Sequence, residues 1–173
     1  RPETSLESMS GLKPAFDKDG VVTAATSSPL TDGAAAVIVC SEDYANRNSL
    51  EILAHIRGMA ISGCSPEIMG IGPVLSSQKA LKRAGIKLED VDVIEMNEAF
   101  AAQSLACVKE LGVEMSKLNI HGGAISMGHP LGASGARITG KAASLLKKTG
   151  KRYALSTMCV GGGQGCATVL ERV

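Results

Sequence analysis

From residue 34 onward the apolar positions fall into short runs and helical stripes. Residues 34–39 form an uninterrupted apolar run of the length of a buried strand. Residues 42–48 predict a short helix with Ser41 at its N-cap. Residues 52–61 mix branched apolar side chains with His55 and Arg57 and predict a strand. Over 73–84 the apolar positions Val74, Leu75, Ala80, Leu81 and Ala84 predict an amphipathic helix that stops at Gly85. Val91, Val93 and Ile94 mark a strand over 91–96, followed by a helix over 98–111 closed by Gly112. A further helix spans 131–148 and is closed by Gly150, and strands over 153–159 and 166–170 flank a glycine turn as a hairpin. Strands that alternate with helices predict a layered α/β fold. Residues 1–30 behave differently. Pro2, Pro14, Gly20 and Pro29 interrupt every candidate element except an apolar pair at Val21 and Val22, so this stretch reads as a connection. No internal repeat is visible.

Composition narrows the classes. The 173 residues are 45% hydrophobic and 20% charged, which fits a globular chain with a real core. Aromatics are 2% with no Trp, so small residues must do much of the packing. Net charge is +1 with no basic stripe, which excludes nucleic acid as the main partner. No apolar run approaches bilayer length, and there is no secretory pattern. The five cysteines, Cys40, Cys64, Cys107, Cys159 and Cys166, are odd in number and widely spaced. That is no disulfide framework, and it predicts a reducing, cytoplasmic setting. The chain begins at Arg1 rather than Met, inside a polar stretch, and reads as a piece of a longer polypeptide.

Three motifs carry the candidate chemistry. Cys159 ends an apolar strand and is followed by Gly161-Gly162-Gly163-Gln164-Gly165. A thiol beside free backbone N–H groups can have its thiolate stabilised and act as base or nucleophile. A small buried hydrophobe is the bland reading, and Cys40, Cys64, Cys107 and Cys166 take it readily. His129 lies between Gly128 and Pro130 at a helix entry. Pro130 holds it extended and so fixes where the imidazole points, ready to polarise a carbonyl or relay a proton. His55 and His121 read as ordinary loop histidines. Asn97 follows the strand over 91–96 and begins the next helix, as an N-cap or as an amide that holds a water or an oxyanion. The glycine run is not a phosphate loop, because no Lys-Ser/Thr and no helix follow it. As a row of N–H donors it suits an oxyanion hole. No short His/Cys spacing suggests a metal site. An amide, an imidazole, a thiol and backbone donors together suit acyl transfer on a thioester.

Asn97-Glu98-Ala99-Phe100-Ala101, the Gly122-to-Pro130 stretch and Cys159-to-Gly165 resemble the C-terminal half of the thiolases. So do Thr31-Asp32-Gly33-Ala34-Ala35-Ala36, Met69-Gly70-Ile71-Gly72-Pro73 and Gly132-Ala133-Ser134-Gly135-Ala136-Arg137, in the same order. The resemblance implies residues 1–48 as the tail of the preceding N-terminal region and 49–173 as the C-terminal domain, an α/β layered mixed β-sheet covered by helices. It implies a catalytic set. Cys159 is the acid/base cysteine, His129 activates an acylated cysteine and builds an oxyanion hole, Asn97 holds a catalytic water, and the Gly161 backbone donates to a second oxyanion hole. Ser28 falls near the pantetheine arm of coenzyme A, and Met69 and Phe100 near the acyl group. Coenzyme A thioesters are then substrates, with no separate cofactor or metal. The expected partners are acyl-CoA, an N-terminal half carrying the nucleophile, and further copies in a dimer or tetramer. Fatty-acid β-oxidation is the implied setting. Without the nucleophilic half the chain is expected to be inactive. The competing reading is a non-catalytic acyl-CoA-binding or assembly module. A decarboxylating synthase is disfavoured by Cys159, where those relatives use histidine. Thr31 and His121 stand where asparagine is often found, and neither departure is expected to touch the chemistry.

Overall fold

The computed structural model describes residues 3–173. Arg1 and Pro2, the latter counted above among the turn formers, lie outside the described residues. Strands β1 (His55–Gly63), β2 (Val93–Met96), β3 (Tyr153–Val160) and β4 (Gln164–Glu171) form one sheet in the order β1-β4-β3-β2. β2 and β3 are parallel, while β3 with β4 and β4 with β1 are antiparallel, so the sheet is mixed. The helices are α1 (Leu6–Ser10), α2 (Glu42–Arg47), α3 (Gly72–Ala84), α4 (Ala101–Leu111), α5 (Ala124–Met127) and α6 (Leu131–Thr149).

Alternation along the strands splits the core in two. Ile94, Leu155, Ala167 and Val169 face α3 with Ala80, Leu81 and Ala84. Val93, Ala154 and Leu170 face α6 with Ala142, Leu145 and Leu146. The result is helix on both faces of the sheet. Leu155, Val169 and Leu146 are fully buried, each contributing about 1.5–3 kcal/mol of transfer free energy.

Helix ends follow the sequence closely. Gly85, Gly112 and Gly150 are the left-handed C-caps of α3, α4 and α6. The Ser41 side chain accepts from the Tyr44 amide and caps α2. The face of α3 differs from the expected one. Leu75 is 42% exposed, while Ser76 and Ser77 are buried. The cause is close backbone contact at the start of the helix. A Cβ on Gly165 of β4 would overlap the Gly72 carbonyl, and one on Gly72 would overlap the Gln164 carbonyl. The Ser62 and Ser76 hydroxyls both donate to Gly72 O, at 3.1 and 3.2 Å. Larger side chains would push α3 off the sheet.

Three expectations are corrected. Residues 34–39 belong to no strand, and Val37, Ile38 and Val39 are 46%, 83% and 71% exposed. A strand needs a hydrogen-bonding neighbour, and no described strand lies beside this run. It forms one wall of a cleft of about 920 Å³, with Leu53, Ala136, Gly140 and Ala143 opposite. Asn97 does not begin a helix, since α4 starts at Ala101. Residues 26–28 pair with 99–101 through Ser28 N to Ala99 O (3.0 Å) and Ala101 N to Thr26 O (2.8 Å), which holds the backbone extended. α1 interrupts the turn-rich N-terminal stretch, capped reciprocally by Ser5 and Ser8. No described helix is long and apolar enough to cross a membrane.

Two outcomes are expected. Gly165→Ala should lower the unfolding free energy by roughly 2 kcal/mol or more, read by urea denaturation; an unchanged midpoint would contradict the backbone contact. The 173-residue chain alone should self-associate through the exposed Leu30, Ile38 and Val39 region. Light scattering from a monodisperse monomer at high concentration would contradict that.

Candidate active site

Asn97 leaves the C-terminal end of β2, and its amide donates to Thr157 O on β3 (3.0 Å). His129 enters from the turn before α6. The Asn97 amide nitrogen lies 3.3 Å from His129 Nε2, and Ser134 Oγ lies 2.6 Å from Nδ1. The one proton of the Ser134 hydroxyl has two acceptors in reach, Pro130 O (3.1 Å) and His129 Nδ1; when it goes to Pro130 O, the hydroxyl accepts from Nδ1–H. Nε2 is then bare and accepts from the Asn97 NH₂ group. Burial, and secondarily the Arg137 guanidinium, hold His129 below the usual histidine range. A neutral imidazole is therefore the resting form. Asn97 is fully buried, and its Oδ1 has no hydrogen-bond partner among the described residues. A buried acceptor in that state calls for a ligand or a water.

The loop that presents His129 is pinned from two sides. Asn119 adopts a left-handed conformation (φ 45°) and pairs with both backbone groups of Met96: Met96 N donates to Oδ1 (2.9 Å) and Nδ2 donates to Met96 O (2.9 Å). Asn119 Nδ2 also donates to Glu98 Oε1 (2.7 Å), and the Ile125 amide donates to Glu98 Oε2 (3.1 Å). Glu98 thus clamps the loop to the motif that holds Asn97. On the other side the His129 amide donates to Thr31 Oγ1 (3.2 Å). Gly128 takes φ 98°, and a Cβ there would overlap Thr31. Thr31, at a position where asparagine is often found, thus holds the backbone of His129 through its hydroxyl. His121 is exposed.

Cys159 lies on β3, 5% exposed. Burial pushes its thiol up; its own backbone N–H opposes this weakly, and nearby Cys64 adds to the rise. The expectation of a stabilised thiolate is corrected, because burial outweighs the backbone donor and the resting group is a protonated thiol. By alternation Cys159 shares the sheet face of Leu155 and Thr157, while Asn97 continues that of Val93 and Glu95. The two side chains approach the end of the sheet from its two sides. Gly161 is exposed at the β3–β4 turn, and Gln164 Nε2 donates to its carbonyl (3.4 Å).

Of the remaining candidates, Ser28 and Phe100 come together. Ser28 Oγ donates to Ala99 O (3.3 Å), and the neighbouring Ser27 bridges Phe100, the N-cap of α4. Met69 sits in a 3₁₀ segment, Pro66–Ile71, that packs on α4. Gly70 O there accepts from Cys107 Sγ (3.2 Å), whose thiol burial pushes up to about 11. The large cleft against α6 contains none of Asn97, His129 or Cys159.

Sequence reading missed Ser134, Glu98 and Asn119 as supports. Ser134 is five residues past His129, one helical turn into α6, and that spacing was a usable signal. Asn119 had none, because its role rests on a contact 23 residues away.

Comparison with known proteins bears on this arrangement. Residues 50–172 match the thiolase C-terminal domain model, and residues 1–43 match the thiolase N-terminal domain model. A 3-ketoacyl-CoA thiolase of Vibrio parahaemolyticus is 57% identical over 99% of this chain and 45% of its own length. One of Yersinia enterocolitica is 55% identical over 100% of this chain and 46% of its own length. The crystal structure of human mitochondrial 3-ketoacyl-CoA thiolase superposes with a TM-score of 0.98 at 49% identity, over 100% of this chain and 44% of that one. A second structure of the human enzyme, in complex with CoA, gives 0.97. The chain spans less than half the length of these relatives.

The depressed pKa of His129 has a sign. A histidine held below its unfolded value of 6.5 adds stability that is present above 6.5 and lost as pH falls through its folded pKa. The unfolding free energy of the wild-type chain, minus that of His129→Asn, should therefore fall as pH drops from about 7.5 to about 5. A flat difference in urea titrations would show that the imidazole is not held neutral.

Proposed function

Since the chain belongs to the thiolase family, we propose that it forms the C-terminal part of an acyl-CoA:acetyl-CoA C-acyltransferase. That enzyme cleaves a 3-ketoacyl-CoA with coenzyme A, or runs the Claisen condensation in reverse. The single observation that carries the reading is the hydrogen-bonded series Ser134–His129–Asn97, with a bare Nε2, at the sheet end that also bears Cys159.

A cysteine on the remainder of the polypeptide supplies the nucleophile. His129 Nε2 accepts its proton, and the thiolate attacks the 3-keto carbon. As the Cα–Cβ bond breaks, the α-carbon of the departing acetyl-CoA takes the proton of Cys159, which its burial has kept on sulfur. The Cys159 thiolate then deprotonates incoming coenzyme A, whose sulfur attacks the acyl-enzyme and releases acyl-CoA. The nucleophilic cysteine recovers its proton from His129. Asn97 Oδ1, without a partner among the described residues, supports a bound water in this cycle. The Gly161 backbone is proposed as a second oxyanion donor. Ser28 is assigned to the pantetheine arm, and Phe100 and Met69 to the acyl chain. The names of the relatives support 3-ketoacyl-CoA as substrate. The proposal includes no separate cofactor, a cytoplasmic homo-oligomer and a role in β-oxidation.

The test uses a polypeptide of the relatives' length that carries this sequence. Cys159→Ser should reduce thiolysis by about three orders of magnitude, because a hydroxyl is a far weaker proton donor and acceptor near neutral pH. Acylation of the nucleophilic cysteine by acyl-CoA, read by intact mass, should persist. The 173-residue chain alone should not turn over, because nothing carries the acyl group. Full condensation rate in Cys159→Ser, or turnover by the chain alone, would contradict these roles.

A further inference from the structure

One face of α6 carries Ser134, Arg137 and Lys141, spaced by three and four residues. Ser134 orients His129. Lys141 does something different. Its ammonium donates to Gly122 O at 2.8 Å and lies 3.0 Å from Glu95 Oε1. The Lys141 side chain is 18% exposed and that of Glu95 1%. At 3.0 Å the ammonium acts on the Glu95 carboxylate by hydrogen bonding and by opposite charge together, while its best-directed bond goes to Gly122 O.

The two partners stand at the roots of the two catalytic groups. Glu95 is two residues before Asn97, on the same face of β2. Gly122 (φ 82°) is the turn that opens the loop ending in His129. The Asn97–His129 contact of 3.3 Å spans a strand end and a loop that share no backbone hydrogen bond at those residues. One half-buried cation therefore ties both pieces to α6.

Resting on the thiolase reading, we propose that Lys141 is a positioning residue for acyl transfer: through Glu95 and Gly122 it sets the separation of Asn97 from His129. The charges that face Glu95 are Lys141 and Arg137 from α6 and Glu98 from the segment before α4. Burial pushes the Glu95 carboxyl up, and the Lys141 ammonium opposes this. Arg137 is a poor substitute, because its Nε and Nη2 are buried and bond to nothing among the described residues. Glu98 repels. Without Lys141, Glu95 either takes up a proton or stays buried as an unpaired charge.

The experiment uses Lys141→Met, and Glu95→Gln/Lys141→Met in which no unpaired charge is buried, both in the polypeptide of the relatives' length. Thiolysis of a 3-ketoacyl-CoA and amide exchange over residues 122–128 are measured. Both variants should lose about ten- to a hundredfold in kcat, as a small misplacement of reacting groups does, with KM for coenzyme A nearly unchanged. The loss in Lys141→Met should deepen as pH rises, because a carboxyl with a raised pKa is tolerated as the acid and not as the anion. In the double variant that added pH dependence should vanish. Exchange over 122–128 should quicken, with β3 unaffected. A kcat within threefold of wild type in the double variant, or unchanged exchange over 122–128, would overturn the proposal. If the wild-type enzyme fails to cleave 3-ketoacyl-CoA, the thiolase reading falls and the exchange data alone decide the role of Lys141.

Discussion

The hydroxyl of Ser134 is the small group on which the site depends. It has one proton and two acceptors in reach, Pro130 O and His129 Nδ1; given to Pro130 O, that proton leaves the hydroxyl only an acceptor toward His129. The imidazole then carries its proton on Nδ1 and turns a lone pair at Nε2 toward Asn97. A histidine without this partner would sample both tautomers and, in water, a good deal of the cation near neutral pH. Here burial favours the neutral form and the nearby Arg137 reinforces it. The reactive character of His129 is thus set by where α6 begins, since Pro130 is its N-cap and Ser134 lies in its first turn.

That geometry holds only if the turn before α6 stays against the sheet. Glu98 and Asn119 bind it to the end of β2, Thr31 holds the His129 amide, and Lys141 fastens Gly122. These contacts join segments 19 to 98 residues apart. Each is worth about 0.5–1.5 kcal/mol net, modest singly, but together they over-determine one position. The sheet beneath is rigid for a different reason, the backbone contact of α3 with β4 at Gly72 and Gly165.

Much of this was legible in the sequence. Glycines after apolar stripes marked the ends of α3, α4 and α6, because a left-handed residue is needed there. Alternating strands and helices mark the layered α/β class, and the motifs around His129 and Asn97 mark both residues without any knowledge of their contact. What the sequence hid depends on long-range partners. An apolar run at 34–39 looks like a strand whether or not a neighbour strand is beside it. The glycines after Cys159 suggested a lowered thiol pKa, yet burial decides in the other direction. Asn97 resembled a helix cap because the pairing of 26–28 with 99–101, which delays α4, leaves no local mark.

The central claim is that His129 rests as a neutral imidazole with its proton on Nδ1. A long-range proton–nitrogen correlation spectrum of the imidazole, with His129→Asn to assign it, reads this directly. At pH near 7 the account predicts a protonated Nδ1, an unprotonated Nε2 in the shift range of a hydrogen-bond acceptor, and a titration midpoint below the ordinary value of 6.5. A proton on Nε2, or an imidazolium at that pH, would contradict it.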